Sequence, residues 1–254
     1  MLDPRRWWRR AKRALLAPSF GAVTRVKTQL PLVALTFDDG PSPVATRELL
    51  AVLARHGAQA THFLVGEAAE ARPDLVSAIV EAGNAVGSHT YSHRSLVRLS
   101  HAARETEITR GAEALGQHST KLFRPPYGHF DLGVARDLRT AGLTCISWSA
   151  HIEDWVLQDA KSLAARLRKA IAPGAIILLH EALYTSTDSA AEDRAPLLEA
   201  LDTVLGEFSS RYRFGTVPEL LAAGKPVLQF VEKRGPDSFI EAQKPGSVQD
   251  SLRV

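Results

Sequence analysis

Two adjacent carboxylates stand at the end of an apolar run in the first quarter of the sequence. The segment 36–42 reads TFDDGPS, so Asp38 and Asp39 are followed directly by a glycine and a proline. Because neighbouring side chains on extended backbone point to opposite sides, one carboxylate can bind a metal ion while the other stays free. The alternative is a turn in which both aspartates only accept hydrogen bonds from backbone N–H groups. This motif alone does not decide between the two.

Two histidines follow, four positions apart, in the segment HTYSH. If the segment has helical geometry, His89 and His93 lie on one face and can bind the same ion. Isolated pairs with this spacing also occur by chance. Two imidazoles and one carboxylate, however, complete the three-ligand set of a catalytic zinc site, which leaves one position open for water. The two motifs together therefore favour a metal site more strongly than either one alone.

Three further motifs supply a cation, another acid and a third histidine. RPPYG begins at Arg124, SAHIEDW contains Asp154, and the apolar run IILLH ends in His180. The order TFDDGP, HTYSH, RPPY, DW, LLH resembles the polysaccharide-deacetylase (NodB-homology) family, carbohydrate esterase family 4. The resemblance runs from about Val33 to Leu221, and five motifs in this order are not expected by chance.

The resemblance implies a hydrolytic chemistry for the site. It makes Asp38 the general base, and Asp39, His89 and His93 the ligands of a divalent metal, expected to be zinc. Such a metal lowers the pKa of bound water and polarises an amide carbonyl. Asp38 would take the proton of the attacking water, and His180, the general acid, would donate a proton to the departing amine.

Supporting roles follow from the same resemblance. They fall to Arg124, which would hold the general base ionised and oriented; Asp154, which would support the general acid or the arginine; Tyr127, whose backbone N–H would face the developing oxyanion; and Trp155 and Leu178, which would wall the acyl pocket. The implied activity is removal of an N-acetyl or similar acyl group from an amino sugar in a glycan, an oligosaccharide or a lipid-linked precursor. One alternative keeps the site but changes the substrate to a non-sugar amide or an O-acetyl ester. Another is an inactive glycan-binding protein, against which the complete set of motif residues argues.

Three positions depart from the usual pattern of this family. His151 stands where many members have the first Asp of D-x-x-D-W, and His62 replaces a usual Phe in the second strand. His62 is either a cleft residue or, as we favour, a core histidine. Glu181 follows the last motif histidine where Asp is common, a change expected only to adjust the loop 181–195. His129 lies close behind RPPYG and has no matching partner in the sequence.

Short apolar runs alternate with helical patterns from Pro31 onward. The predicted strands are Pro31–Phe37, Ala60–Val65, Asn84–Ser88, Lys121–Arg124, Leu143–Trp148, Ala175–Leu179 and Arg213–Val217. The predicted helices are Pro43–His56, Glu67–Ala82, Ser100–Leu115, Leu132–Ala141, Lys161–Ala172, Pro196–Ser209 and Pro218–Ala222. Seven strands alternating with helices indicate an α/β fold with a parallel sheet, either open or closed. A barrel is favoured because the motif residues fall at the C-terminal ends of the strands, which converge on one face. The resemblance likewise implies a distorted (β/α)7 TIM-like barrel of the NodB-homology type.

Composition sets the remaining limits. With 45% hydrophobic residues, a chain of 254 residues can form a sizeable core without disulfides. Cys145 is the only cysteine and lies in an apolar run, so we expect a buried, unreactive thiol. The expected organisation is a basic segment over 1–24, a deacetylase domain over 25–228 and a loosely ordered tail over 229–254.

The positive charge is concentrated at the N-terminus. Residues 1–13 hold six basic residues and one acid, which leaves the rest of the chain slightly acidic and argues against a nucleic-acid partner. The segment 5–16 is either a solvated tail or an interfacial helix. In such a helix the arginines would face anionic head groups, and the side chains facing lipid would be Trp7, Trp8, Leu15 and Leu16. It does not resemble a cleavable secretory signal. The sequence therefore predicts a cytoplasmic protein, in contact with the inner face of a membrane if the helix binds lipid, and leaves the oligomeric state open.

Overall fold

A computed structural model describes residues 4–156, 158–184 and 192–233 of the chain. The strands β1 to β10 in these ranges are Ala22–Lys27, Leu32–Gly40, Thr61–Leu64, Ala85–Ser88, Ser119–Phe123, Thr144–Cys145, Ala150–His151, Ile176–His180, Arg213–Gly215 and Lys225–Gln229. The helices α1 to α9 are Pro4–Phe20, Ala45–Arg55, Gly66–Ala71, Pro73–Glu81, His101–Glu113, Leu132–Thr140, Ala160–Ala170, Ala195–Phe208 and Val217–Ala222. Most strands are followed by a helix, as the sequence pattern predicts.

A parallel sheet in the order β6-β5-β4-β3-β2-β8-β7 forms the centre of the fold. All nine residues of β2 are buried, because helices cover one face of the sheet and side chains fill the other. Val33, Leu35 and Phe37 pack towards helices α2, α7 and α8, whereas Ala34 belongs to an interior cluster with Phe63. By this alternation Asp38, at the end of β2, continues the interior face.

One extended segment connects the two edges of this sheet. The backbone N–H of Ile146 donates to Phe123 O in β5 at 2.8 Å, and that of Ser149 donates to Ile176 O in β8 at 2.9 Å. Strands β6 and β7 are thus the two ends of residues 144–151, and they curl the sheet into a distorted barrel. The predicted α/β barrel fold is confirmed. The strand at the end of this sheet is β7, however. The predicted final strand, β9, instead pairs with the first residues of β2.

The prediction of one continuous helix over Glu67–Ala82 is wrong, because the chain forms two helices there, α3 and α4. Arg72 lies between them with φ −137° and ψ 59°, outside the helical region. The ring of Pro73 disfavours helical geometry at the residue before it, and proline is well suited to the first turn of the next helix. Ser100 caps α5 as predicted, because its Oγ accepts a hydrogen bond from Ala103 N.

The two ends of the described chain pack together, which the sequence did not indicate. Strand β1 pairs antiparallel with β10, and the expected boundary between residues 24 and 25 falls inside β1. Strand β1 was missed because six residues that include Arg25 and Lys27 carry a weak alternating signal. Leu16, which we expected to face lipid if the segment were an interfacial helix, instead packs with Ala17 against the core from α1.

The expected loosely ordered tail is wrong for residues 229–233. Phe230 is 2% exposed and packs against Phe130, and the backbones of Phe130 and Lys233 exchange two hydrogen bonds. An aromatic side chain buried in this way is sufficient to order a short terminal segment. Residues 234–254 lie outside the described residues. Among the described helices, none has both the length and the apolar character needed to cross a bilayer.

Candidate active site and metal centre

Asp38 and Asp39 leave the end of β2 in different directions. Asp39 has φ 70°, in the left-handed region that a non-glycine residue rarely adopts, and this turns its side chain away from that of its neighbour. The Oδ1 atom of Asp38 lies 2.7 Å from an Arg124 nitrogen, whereas Oδ1 of Asp39 faces two histidines. The two carboxylates therefore have separate environments.

Asp39, His89 and His93 form a compact, buried cluster. Oδ1 of Asp39 lies 3.4 Å from Nε2 of His89 and 3.0 Å from Nε2 of His93, and the three potential ligand atoms are all within 4.8 Å of one another. This oxygen is buried and accepts no hydrogen bond from the described residues, a costly arrangement unless a cation lies beside it. Burial alone would raise the pKa of Asp39, but the imidazoles of His93 and His89 hold it well below its usual value. The donor set fits a divalent cation of the zinc type.

Hydrogen bonds to the other ring nitrogens orient both imidazoles. Nδ1 of His89 lies 2.7 Å from Arg124 O, and Nδ1 of His93 lies 3.0 Å from the Tyr127 hydroxyl. When Nδ1 carries the proton, Nε2 is left with the lone pair that a metal requires. Tyr127 itself has φ 60° and ψ 7°, and this backbone conformation accompanies the approach of its side chain to the histidine.

The HTYSH segment is a loop, so the helical geometry considered for it is wrong. Thr90 and His93 have φ values of 70° and 57°. The two histidines are therefore brought together by left-handed backbone in a loop and not by a helical turn. Glu107 in α5 supports the loop, because its carboxylate accepts from the Ser92 backbone N–H at 2.9 Å and the Ser92 hydroxyl at 2.6 Å. No sequence motif indicated this contact.

Arg124 is completely buried and holds Asp38 in place. Its guanidinium also donates to the Thr36 hydroxyl at 2.8 Å and to the backbone oxygens of Ile146 and Ser147, and it lies over the ring of Phe63. Burial lowers the pKa of Arg124, and the adjacent Asp38 opposes that shift. Oδ2 of Asp38 lies 3.8 Å from Nε2 of His89, so the free oxygen of this carboxylate borders the metal cluster.

His180 lies at the end of β8 with a buried acid behind it. Asp154 accepts from His180 Nδ1 at 3.1 Å and from its backbone N–H at 2.8 Å. Burial lowers the pKa of His180, but Asp154, together with the charges of Asp39 and Asp38, raises it above its ordinary value. A guanidinium nitrogen of Arg194 lies 2.5 Å from Oδ2 of Asp154. The sequence left two partners open for Asp154, namely His180 and Arg124. In the structure Asp154 contacts His180, and the arginine beside it is Arg194 and not Arg124.

Trp155 and Leu178 both adjoin His180. The ring of Trp155 meets the His180 ring edge-on at 5.4 Å and is tilted against that of His151 at 5.3 Å. Leu178 stands two positions before His180 on β8, so both side chains point to the same face of the strand. The half-buried His151 has a pKa lowered by burial. Trp155 and Leu178 therefore lie next to the imidazole of His180.

Several contacts near the site had no signal in the sequence. Tyr184 donates its backbone N–H to Oδ2 of Asp39 at 3.1 Å, and Lys233 donates to Tyr127 O at 3.0 Å. His129 is buried against the Ser95 hydroxyl at 2.7 Å, and burial lowers its pKa to about 4. Residues distant in sequence make these contacts singly, outside any motif, which is why reasoning from motifs missed them.

The remaining candidates belong to the interior. His62 is fully buried, as favoured, and its Nδ1 lies 2.7 Å from Oε2 of the buried Glu181, so the glutamate does more than adjust a loop. Cys145 is buried, and burial raises the pKa of its thiol to about 12, in agreement with the expected unreactive cysteine. Within the loop 181–195, residues 185–191 lie outside the described residues.

Comparison with known proteins agrees with this arrangement. A family profile described as Polysaccharide deacetylase matches residues 25–146. A peptidoglycan-N-acetylglucosamine deacetylase of Bacillus cereus is 31% identical over 211 residues, which are 81% of this chain and 95% of that protein. A chitooligosaccharide deacetylase of Sinorhizobium fredii is 34% identical over 180 residues, or 68% and 84% of the two chains.

The fold is also similar to that of solved structures. The crystal structure of a peptidoglycan N-acetylglucosamine deacetylase in complex with 4-naphthalen-1-yl-N-oxidanyl-benzamide has a TM-score of 0.73 and 28% identity, and the match covers 83% of this chain and 97% of that one. Similarity therefore extends over almost the whole length of these relatives and includes the segments that hold the buried cluster. On this evidence the chain belongs to the polysaccharide deacetylase family.

Proposed function

We propose that this protein is a metal-dependent deacetylase that hydrolyses the N-acetyl group of an amino sugar, with zinc as its metal. The observation that carries the proposal is the buried cluster of Asp39, His89 and His93, with the free oxygen of Asp38 3.8 Å from His89. A three-ligand site beside an unbound carboxylate is the arrangement that metal-assisted hydrolysis requires.

Asp38 is the proposed general base. A bound divalent cation of this type supplies Lewis acidity, which polarises the acyl carbonyl and favours loss of a proton from water. Asp38 accepts that proton as the water attacks the carbonyl carbon. Arg124, 2.7 Å from Oδ1 of Asp38, orients the carboxylate and leaves Oδ2 on the side of the metal cluster. The backbone N–H of Tyr127 is the proposed donor to the oxyanion that develops.

His180 is the proposed general acid. An amine leaves an acyl carbon readily only when it is protonated, so hydrolysis of an amide needs an acid as well as a base. Asp154 raises the pKa of His180 and fixes its tautomer, since Nδ1 of the imidazole faces the carboxylate and leaves Nε2 for the substrate. Trp155 and Leu178 are the proposed walls of the acyl pocket.

The substrate class rests on the relatives. Two of them are named as deacetylases of peptidoglycan N-acetylglucosamine and of chitooligosaccharide, so an N-acetylated glucosamine unit in a glycan, an oligosaccharide or a lipid-linked precursor is the proposed substrate. The same site is chemically able to cleave a small non-sugar amide or an O-acetyl ester. A protein that only binds glycans remains the contrasting possibility.

Acetate release tests the proposal. The purified chain is incubated with N-acetylated chitooligosaccharides, peptidoglycan fragments, a simple N-alkyl acetamide and an O-acetyl ester, before and after metal removal by a chelator and after zinc is restored. We expect release from an N-acetylated sugar, its loss with the chelator and its return with zinc. Release from the ester or the simple amide alone would change the substrate class. Binding of oligosaccharide without any release would favour the glycan-binding alternative.

Membrane contact through residues 5–16 is a separate proposal. These residues lie in α1, where Leu15 is 80% exposed, and the segment 1–13 is strongly basic. Co-sedimentation with anionic and with zwitterionic vesicles measures the contact, and we expect binding to the anionic vesicles alone. Binding to neither would contradict it.

The predicted location at the inner face of a membrane is tested by fractionation of cells that express the protein, and recovery from the periplasm or the medium would contradict that location.

A further inference from the structure

A second histidine–carboxylate pair lies on the other side of the sheet from the catalytic groups. His62, in β3, is fully buried, and Glu181, which follows β8, is 1% exposed. Nδ1 of His62 lies 2.7 Å from Oε2 of Glu181. The other carboxylate oxygen accepts from the hydroxyl of Thr46, which is also fully buried, and from the backbone N–H of Ser42 at 3.3 Å.

This pair is attached directly to the backbone that carries the proposed base and acid. Glu181 is the residue after His180, and its backbone N–H donates to Asp38 O at 2.9 Å. His62 is paired in the sheet with Phe37, the residue before Asp38, and their rings lie 5.5 Å apart. The pair therefore connects the ends of β2, β3 and β8 at the level of the catalytic side chains.

The carboxylate also occupies space that only a glycine leaves open. A Cβ atom on Gly40 would lie 2.5 Å from Oε2 of Glu181, so the backbone just after Asp39 rests against this carboxylate. Burial of a carboxylate is unfavourable unless hydrogen-bond donors compensate it, and here His62, Thr46 and the Ser42 backbone supply them. Such an arrangement fixes the position of every group that takes part in it.

The two side chains also match in length and chemistry. An Asp at position 181 would be one methylene too short to span the distance that Glu181 covers, and a Phe at position 62 would offer it no donor.

We propose that His62 and Glu181 are positioning residues that hold Asp38 and His180 at the separation and orientation needed for hydrolysis. The proposal rests on the proposed function, because it assigns these residues to the same reaction. They do not touch the substrate, since they face the side of the sheet that is covered by helix α2. Their loss should therefore reduce kcat and leave KM almost unchanged.

The test compares two substitutions at His62 in enzyme saturated with zinc. His62→Phe removes the donor to Glu181, whereas His62→Asn keeps an N–H near the position of Nδ1. A displacement of catalytic groups by about 1 Å lowers the rate on the order of 100-fold, so we expect His62→Phe to reduce kcat by about 10- to 100-fold. We expect His62→Asn to recover most of this loss, and KM to stay within about twofold in both variants. Glu181→Gln, which keeps the shape of the side chain, should also lower kcat.

A matched control comes from another pair in the same protein. Nε2 of His56 lies 2.7 Å from Asp202, in a partly exposed contact remote from the site. We expect His56→Phe to lower the melting temperature while kcat stays within about twofold. If wild type releases acetate and both His62→Phe and Glu181→Gln keep the wild-type kcat, the positioning role is refuted and the proposed function stands. If wild type releases no acyl group from any substrate, both proposals fail. A loss of kcat that Asn does not recover would also overturn the role assigned to the His62 donor.

Discussion

Asp38 and Asp39 are neighbours in the chain, yet each has its own partner. The left-handed backbone at Asp39 directs its oxygen to His89 and His93, while Asp38 stays on the interior face of β2 beside Arg124. A buried ion pair such as that of Asp38 and Arg124 contributes little net stability, because desolvation offsets most of the attraction. The contact instead fixes the position of the Asp38 carboxylate next to the metal cluster.

The pKa of His180 leads to a prediction of pH dependence. Burial lowers the pKa of this imidazole, but Asp154, with smaller contributions from Asp39 and Asp38, raises it above its ordinary value. A general acid must be protonated, so activity falls as the pH rises through the pKa of His180. Asp154→Asn removes the raising charge, and the alkaline limb of the kcat profile should move to lower pH by about one unit or more.

The measurement is the pH dependence of kcat for wild type, for Asp154→Asn and for a control. Asp159→Asn is suitable, because Asp159 is exposed and its carboxylate caps helix α7 by accepting from the Ser162 backbone N–H at 2.8 Å. We expect the control profile to coincide with that of wild type. An alkaline limb that stays in place in Asp154→Asn would remove Asp154 from the role of tuning the acid.

At the scale of elements, the site depends on where the strands end. Parallel strands of a barrel bring their C-terminal ends together, so the placement of motif residues after strands was enough to predict that Asp38, His89, Arg124 and His180 meet. The conformation of the loops was not predictable in this way. The left-handed residues of the HTYSH loop and the contact of Arg194 with Asp154 depend on residues far apart in sequence, with no local pattern.

Helix α5 supports the loop of the metal cluster, and this support can be tested. Glu107→Ala removes two hydrogen bonds to Ser92, between the two histidine ligands. Loss of an outer contact of a metal site typically costs 10- to 100-fold in affinity, so we expect zinc affinity to fall by about 10-fold. Competition with a chromophoric chelator measures this affinity.

Glu105→Ala is the matched control, because Glu105 lies on the exposed side of the same helix. It should leave the zinc affinity unchanged. Equal affinities for the Glu107 and Glu105 variants would show that the loop holds its conformation without α5.

At the scale of the whole molecule, the ends of the described chain pack together in a separate two-stranded sheet. Strands β1 and β10 pair with each other, and Lys233 reaches the loop that holds Tyr127. Strands β2 and β8 at the centre of the sheet were predictable, because they contain continuous apolar runs. The terminal strands were not, because they are short, partly charged and stabilised by each other across almost the entire sequence.

Burial of the C-terminal segment gives a prediction of stability. Phe230 is 2% exposed, and replacement of a buried Phe by Ala typically lowers the free energy of unfolding by about 3 kcal/mol or more. We expect Phe230→Ala to lose about this amount in urea denaturation. Leu228→Ala, at a side chain that is 37% exposed, should lose less than about 1 kcal/mol. Similar values for the two variants would contradict the packing of residues 229–233.

The proposed mechanism gives Asp38 and Asp39 different roles, and a comparison of variants at these two positions tests it most directly. Asp38→Asn and Asp39→Asn are compared in one measurement of bound zinc per chain and acetate release per chain. We expect Asp38→Asn to retain zinc and to lose activity by about 10²- to 10⁴-fold, because only the base is removed. Asp39→Asn should lose zinc and activity together. If both variants bind zinc equally and release acetate at the same rate, the assignment of base and ligand is wrong.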